Sequence, residues 1–159
     1  MDRKILMKEE KERKQVVVVV SGGFDPFHEG HLDHIVEASK LGDYLIVLVS
    51  SDNDMLVKKG KFNVPLWFRI KTVQLWMKEY DINGKVIMTM DTNGTQVNSL
   101  KILRPDIYAE GGDVTPDTIN KEEERVCKEI GCKIVYEVGH SYHIPKINSS
   151  SKMVAIENK

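Results

Sequence analysis

With 159 residues, 41% of them apolar and 30% charged, the chain is long enough to bury a substantial core and short enough for one domain. Its formal net charge of −1 leaves no electrostatic footprint for a nucleic-acid partner. No apolar run is long enough for a membrane span, no signal-peptide pattern opens the sequence, and Cys127 and Cys132 match no familiar ligand spacing; a cytoplasmic protein with two buried thiols is expected.

Residues 1–15 are dominated by Lys, Glu and Arg, with only Ile5, Leu6 and Met7 apolar beyond the initiator. They read as a charged N-terminal extension, frayed or helical, in solvent. Residues 16–159 read as a single domain. It opens on the valine run Val16–Val20, a strand buried on both faces because nothing in it alternates with polar residues. Gly22 and Gly23 follow, free to take positive φ and to let a ligand approach main-chain N–H groups. A helix begins next, with His28 and His31 on one face of its first turn and Gly30 between them. Its apolar face is Leu32, Ile35, Val36 and Ala38 to Leu41, and Gly42 is a natural stop.

Tyr44–Ser50 reads as a second buried strand, and Asp52 and Asn53 open a polar loop ending at Lys58-Lys59-Gly60-Lys61. Pro65 sits where a first-turn proline would, before Leu66, Ile70, Val73, Met77 and Tyr80 at helical spacing. Trp67, Phe68 and Trp76 lie off that stripe, and two readings stay open: a contact between copies of the chain, or a helix wedged between layers of one monomer. Asn83-Gly84 marks a turn and Val86–Met90 a third strand. Thr95–Leu103 is a helix ending before Pro105. Asp106–Glu110 is a fourth strand closed by Gly111, Gly112 and Asp113. Glu122–Ile130 is a helix and Lys133–Val138 a fifth strand, followed by a loop with His140 and His143. Ser149, Ser150, Ser151 and Lys152 precede a last short helix.

Apolar strands alternating with helices predict a Rossmann-like, doubly wound sheet of about five parallel strands with helices on both faces. Ligands in such folds sit beyond the carboxyl ends of the strands, where strand order reverses. The glycine pair, the lysines, Gly111–Asp113 and the serine run all fall at that edge. Paired imidazoles at a helix start, whose N–H groups and dipole favour anions, make a phosphate site. The pattern is neither a dinucleotide fingerprint nor a Walker loop. It suits transfer at phosphorus by charge stabilisation.

Gly23-Phe24-Asp25-Pro26-Phe27-His28-Glu29-Gly30-His31 resembles the signature of the HxGH nucleotidyltransferase superfamily, the cytidylyltransferase-like group. Leu41–Val47, Lys59-Gly60, Pro65-Leu66, Arg69 and Pro105–Asp113 resemble further segments of its glycerol-phosphate and heptose-phosphate enzymes, and Ser149–Ser151 stands where they carry a hydroxyl run. The resemblance implies transfer of a nucleoside monophosphate from CTP or ATP to a sugar or polyol phosphate, with Mg²⁺ on the triphosphate, often in a homodimer. It implies backbone contacts to the α-phosphate near Gly22, Gly23, Phe24 and Asp25, and His28 and His31 on phosphate oxygens. Lys59 would meet the acceptor phosphate, Gly111, Gly112 and Asp113 the base and ribose, and Ser149–Ser151 with Lys152 the outer phosphates.

Two positions depart from the family pattern: Val154 stands where a cation usually grips the triphosphate, and Glu110 stands where a lysine precedes the glycine pair. They motivate an alternative, a nucleotide-binding regulatory module without turnover. A further alternative is a zinc protein using His28, His31, His140 and His143. His34 reads as structural or as a pocket wall.

Overall fold

The computed structural model describes residues 2–12 and 14–139; the expectations for His140, His143, Ser149, Ser150, Ser151, Lys152 and Val154 lie outside them. A helix, α1 (Arg3–Glu12), precedes the sheet, and Ile5, Leu6 and Met7 on it are exposed. The strands are β1 (Val17–Gly22), β2 (Tyr44–Val49), β3 (Gly84–Met88), β4 (Ile107–Ala109) and β5 (Lys133–Val135). They form one sheet in the order β3-β2-β1-β4-β5, and every neighbouring pair is parallel. Strand order therefore reverses at β1, the middle strand.

The valines divide between the two faces. Val18 and Val20 join Val47, Val49, Ile35, Val73 and Met77 in a core under α2 (Glu29–Ser39) and α4 (Leu66–Glu79). Val19 joins Leu48, Leu100, Tyr108, Val126 and Cys127 in a core under α5 (Val97–Leu103) and α6 (Lys121–Ile130). A strand with no exposed face needs no polar alternation, which is why the run reads as it does. Helices on both faces of a parallel sheet make the doubly wound architecture expected from the sequence. Both cysteines are buried and unpaired. Among the described residues no helix is long and apolar enough to cross a membrane.

Several expectations are corrected. The stretch from Asp52 to Lys59, expected as a loop, is a helix, α3 (Asp52–Lys59). Ser51 caps it by accepting the Asp54 N–H at 3.0 Å, Asp52 and Asp54 sit in its first turn, Lys58 and Lys59 in its last, and Gly60 ends it at φ 72°. Caps and charges complementary to the dipole hold a short helix that shows little apolar periodicity. Pro65 is the residue before α4 rather than its first. Gly84 begins β3 instead of making a turn: a Cβ there would meet the Leu45 carbonyl oxygen at 1.9 Å. β3 ends at Met88, and β4 and β5 are three residues each, shorter than expected. α5 starts at Val97 and α6 at Lys121. Among the described residues the outer face of α4 is uncovered, with Trp67 69% and Leu75 58% exposed.

Candidate active site

The site grows from the carboxyl end of β1. Neither Gly22 nor Gly23 has positive φ; the left-handed residue is Phe24, at φ 52°. The glycines are closely packed instead. A Cβ on Gly22 would stand 3.1 Å from the Phe24 ring, and one on Gly23 would stand 2.7 Å from Met55 Sδ of α3. The bend folds Phe24 back under the turn, where it is buried and meets His31 edge-on with centroids 5.0 Å apart. Phe27 flanks the same imidazole at 5.6 Å. Packing of this kind holds a residue in an unfavourable backbone conformation.

His28 is the N-cap of α2, with extended backbone. Its Nδ1 accepts the Gly30 N–H at 3.0 Å, and His31 Nδ1 accepts the His28 N–H at 3.3 Å. The rings stack with centroids 3.8 Å apart and planes 19° from parallel. Because each Nδ1 receives a main-chain proton, each neutral ring carries its own proton on Nε2. The two histidines are therefore paired N–H donors, held in register by the helix end they cap. Burial lowers the pKa of His28, against Glu29. Burial also holds His31 well below the usual histidine value, helped by His28, His34 and Lys59. Neutral donors beside a helix N-terminus suit an anion whose own charge must not be neutralised by proton transfer.

Lys59, the last residue of α3, is exposed, and its charge reaches His31. Lys58 faces elsewhere, with Nζ 3.3 Å from Ser50 Oγ and 3.4 Å from Asp54. Gly111 follows β4 and lies against α2: a Cβ there would stand 3.7 Å from His34 Nδ1. Gly112 and Asp113 are exposed in the same turn. His34 is structural, its Nδ1 2.8 Å from the Val138 carbonyl oxygen. The structure thus brings His28, His31, Lys59 and the Gly111 turn to one edge.

Glu110 leaves β4 on the sheet face that also carries Tyr108, whose hydroxyl is 3.2 Å from Ser21 Oγ. Burial pushes its carboxyl up to about 7, against the Tyr108 hydrogen bond, with Glu123 adding to the rise and Lys58 opposing it. An anion-to-acid transition thus falls within the physiological range at the point where strand order reverses.

The buried carboxylate of Asp25 accepts the Asn63 N–H at 2.7 Å and the Val64 N–H at 2.7 Å. Arg69, not expected from the sequence to be buried, is 1% exposed; its place on the apolar stripe between Leu66 and Val73 is the signal the sequence carries for this. Among the described residues no group of three or more His, Cys, Asp or Glu side chains is placed to hold a metal ion.

The chain resembles proteins of one family. The cytidylyltransferase-like family model matches residues 19–155. The bifunctional protein HldE of Nitrosococcus oceani is 34% identical over 109 residues, which are 69% of this chain and 22% of that protein. The chain thus spans about a fifth of the length of such bifunctional relatives. The FAD synthase of Thermococcus sibiricus is 29% identical over 124 residues, 78% of this chain and 81% of that protein. The crystal structure of the lipopolysaccharide core biosynthesis protein from Thermoplasma volcanium superposes with a TM-score of 0.62 at 26% identity, covering 78% of this chain and 97% of that one. With the family model spanning nearly the whole domain and the paired histidines at the sheet's reversal point, the chain belongs to the cytidylyltransferase-like family.

Proposed function

We propose that this nucleotidyltransferase moves a nucleoside monophosphate from CTP or ATP to a small phosphorylated acceptor, a sugar or polyol phosphate. The observation that carries the reading is the pair of Nδ1-capped imidazoles, two neutral N–H donors on rings whose centroids are 3.8 Å apart at a helix start. An acceptor phosphate oxygen attacks the α-phosphorus in line, the bond from that phosphorus to the bridging oxygen breaks, and pyrophosphate leaves with the bonding electrons. His28 and His31 donate to phosphate oxygens as charge shifts onto them. Lys59 draws in the acceptor phosphate. Main-chain groups at Gly22, Gly23 and Phe24 border the α-phosphate, Gly30 gives it room, and Gly111, Gly112 and Asp113 border base and ribose. Ser149, Ser150, Ser151 and Lys152 take the outer phosphates.

Mg²⁺ is read as entering on the triphosphate, as part of that substrate. Similarity to the Thermoplasma lipopolysaccharide core biosynthesis protein supports a sugar phosphate acceptor, and similarity to the FAD synthase supports an adenylyl donor. The uncovered aromatic face of α4, with Trp67 and Phe68 exposed and in edge contact at 5.4 Å, supports a homodimer through that helix.

The test is to incubate the chain with CTP or ATP, Mg²⁺ and a panel of sugar and polyol phosphates while following pyrophosphate release. Pyrophosphate formed only with a matched donor and acceptor supports the reading. Folded protein that binds nucleotide and releases none with any pair would point to the regulatory module instead.

A further inference from the structure

The residues between α3 and α4 are held by side chains that also hold the glycine turn. Asp25 Oδ2 accepts from Asn63 N–H at 2.7 Å and Asn63 Nδ2 at 3.3 Å, and Oδ1 accepts from Val64 N–H at 2.7 Å. Arg69 completes the clasp. Its Nε donates to the Val64 carbonyl oxygen at 2.8 Å. Its Nη1 donates to the Gly23 and Ser50 carbonyl oxygens at 2.9 and 2.6 Å. Its Nη2 donates to Asp52 Oδ1 at 2.7 Å, an oxygen that also accepts the Leu66 N–H at 3.0 Å.

Buried charges lose most of their hydration, and the hydrogen bonds they make do little more than offset that loss. A network of this kind therefore contributes little net stability compared with well-packed apolar side chains. What it contributes is a fixed distance: the ends of β1 and β2, the start of α3 and the backbone at residues 63–66 cannot move independently. Lys59 and Lys61 sit just before those residues, and His28 sits just after Asp25.

We propose that Asp25 and Arg69 are positioning residues that couple two substrate subsites, transmitting occupancy of the triphosphate turn to the lysine-bearing segment that receives the acceptor phosphate. This rests on the assignment of those two subsites made above. Because the clasp ties the turn to the lysine-bearing segment, a phosphate that fixes the turn also restrains the lysines. Neither residue touches the reacting atoms.

The test needs no turnover. Inorganic tripolyphosphate serves as the probe for the turn, and trypsin reports on the peptide bonds after Lys59 and Lys61. Binding is followed by calorimetry, and proteolysis is followed with and without the probe for wild type, Asp25→Asn and Asp52→Asn. The second variant weakens the same network at a half-exposed point, and so remains informative if the first does not fold. Coupling predicts that tripolyphosphate slows cleavage in wild type roughly tenfold, and that folded variants bind it within about threefold yet lose the protection. In turnover, the acceptor KM of the variants rises roughly tenfold while kcat changes little. Protection that persists in the variants, or that is missing in wild type although the probe binds, overturns the coupling. Failure of tripolyphosphate to bind wild type removes the phosphate site itself, and the coupling with it. Absent turnover with intact, clasp-dependent protection sinks only the assigned reaction.

Discussion

His28 and His31 each accept a main-chain N–H of their own helical turn through Nδ1, one from Gly30 and the other from His28 itself. Capping and donation are thus assigned to opposite nitrogens of each ring. The arrangement separates two consequences of mutation that are usually confounded. His28→Asn keeps an N-cap acceptor but loses the Nε2 donor, whereas His28→Ala loses both. Asn is expected to leave the melting temperature nearly unchanged while lowering kcat by roughly 10²–10³-fold. Ala should show the same kinetic loss and in addition lose about 1 kcal/mol of stability. Calorimetric melts beside pyrophosphate-release kinetics check both numbers; equal rates for wild type and Asn would take His28 out of the chemistry.

The pH dependence follows from the direction of the histidine shifts. Both folded-state values lie below the ordinary histidine value of 6.5, through burial first. Below pH 6.5 the unfolded rings take up protons that the folded rings do not. Their contribution to stability is therefore intact above 6.5 and declines as pH falls below it. Activity that depends on neutral N–H donors should hold level between pH 8 and 6.5. A tenfold rise in kcat/KM per unit of falling pH over that interval would mean that the imidazolium is needed instead.

Glu110 carries the opposite sign. Its folded value of about 7 lies above its ordinary 4.5, so the folded chain holds a proton that the unfolded chain has released. That contribution is fully present below pH 4.5 and is lost as pH rises through about 7. Glu110→Gln, neutral at every pH, should therefore melt higher than wild type at pH 8 and match it near pH 5. Each kcal/mol gained appears as roughly 2–4 °C. Parallel melting curves at the two pH values, with no divergence at pH 8, would contradict the assigned shift.

Gly84 is the position where added volume has nowhere to go. A Cβ would sit 1.9 Å from the Leu45 carbonyl oxygen, which is backbone and cannot rotate aside. Gly84→Ala is expected to displace β3 from β2 and to cost roughly 3 kcal/mol. Denaturant titration measures the loss; a loss within error of zero would show that the edge strand yields freely.

The homodimer proposal is checked by sedimentation. The wild-type chain is expected at twice the monomer mass, and Trp67→Glu with Leu75→Glu should return it to one chain without changing the far-ultraviolet circular dichroism. Both side chains are exposed within one copy, so the substitutions leave the monomer core alone.

The architecture was legible because β1 and β2 are buried on both faces and cannot alternate, and the paired histidines were legible because their spacing puts them on one helical turn. α3 was not, since Met55 and Asp54 are its only buried residues and its signals are a serine cap and end charges. Phe24 was not either: the sequence pattern gives positive φ to glycine, yet here the ring of Phe24 packs on Gly22, Met55 packs on Gly23, and Phe24 takes the left-handed position itself. The partners of the Asp25 carboxylate, Asn63 and Val64, lie thirty-eight and thirty-nine residues on, a distance no local pattern spans.

The place of β1 in the order β3-β2-β1-β4-β5 bears on how such a chain diversifies. The strand that aims the two rings is wrapped by neighbours on either side and by packed helices above and below, so almost any change to it is punished. The segments that meet the rest of the substrates hang from flanking connections and can be lengthened, shortened or recoded with little harm to the middle. Innovation in what is accepted is thereby decoupled from the machinery that breaks the bond, and descendants of one ancestor can explore new substrates while inheriting the same central device.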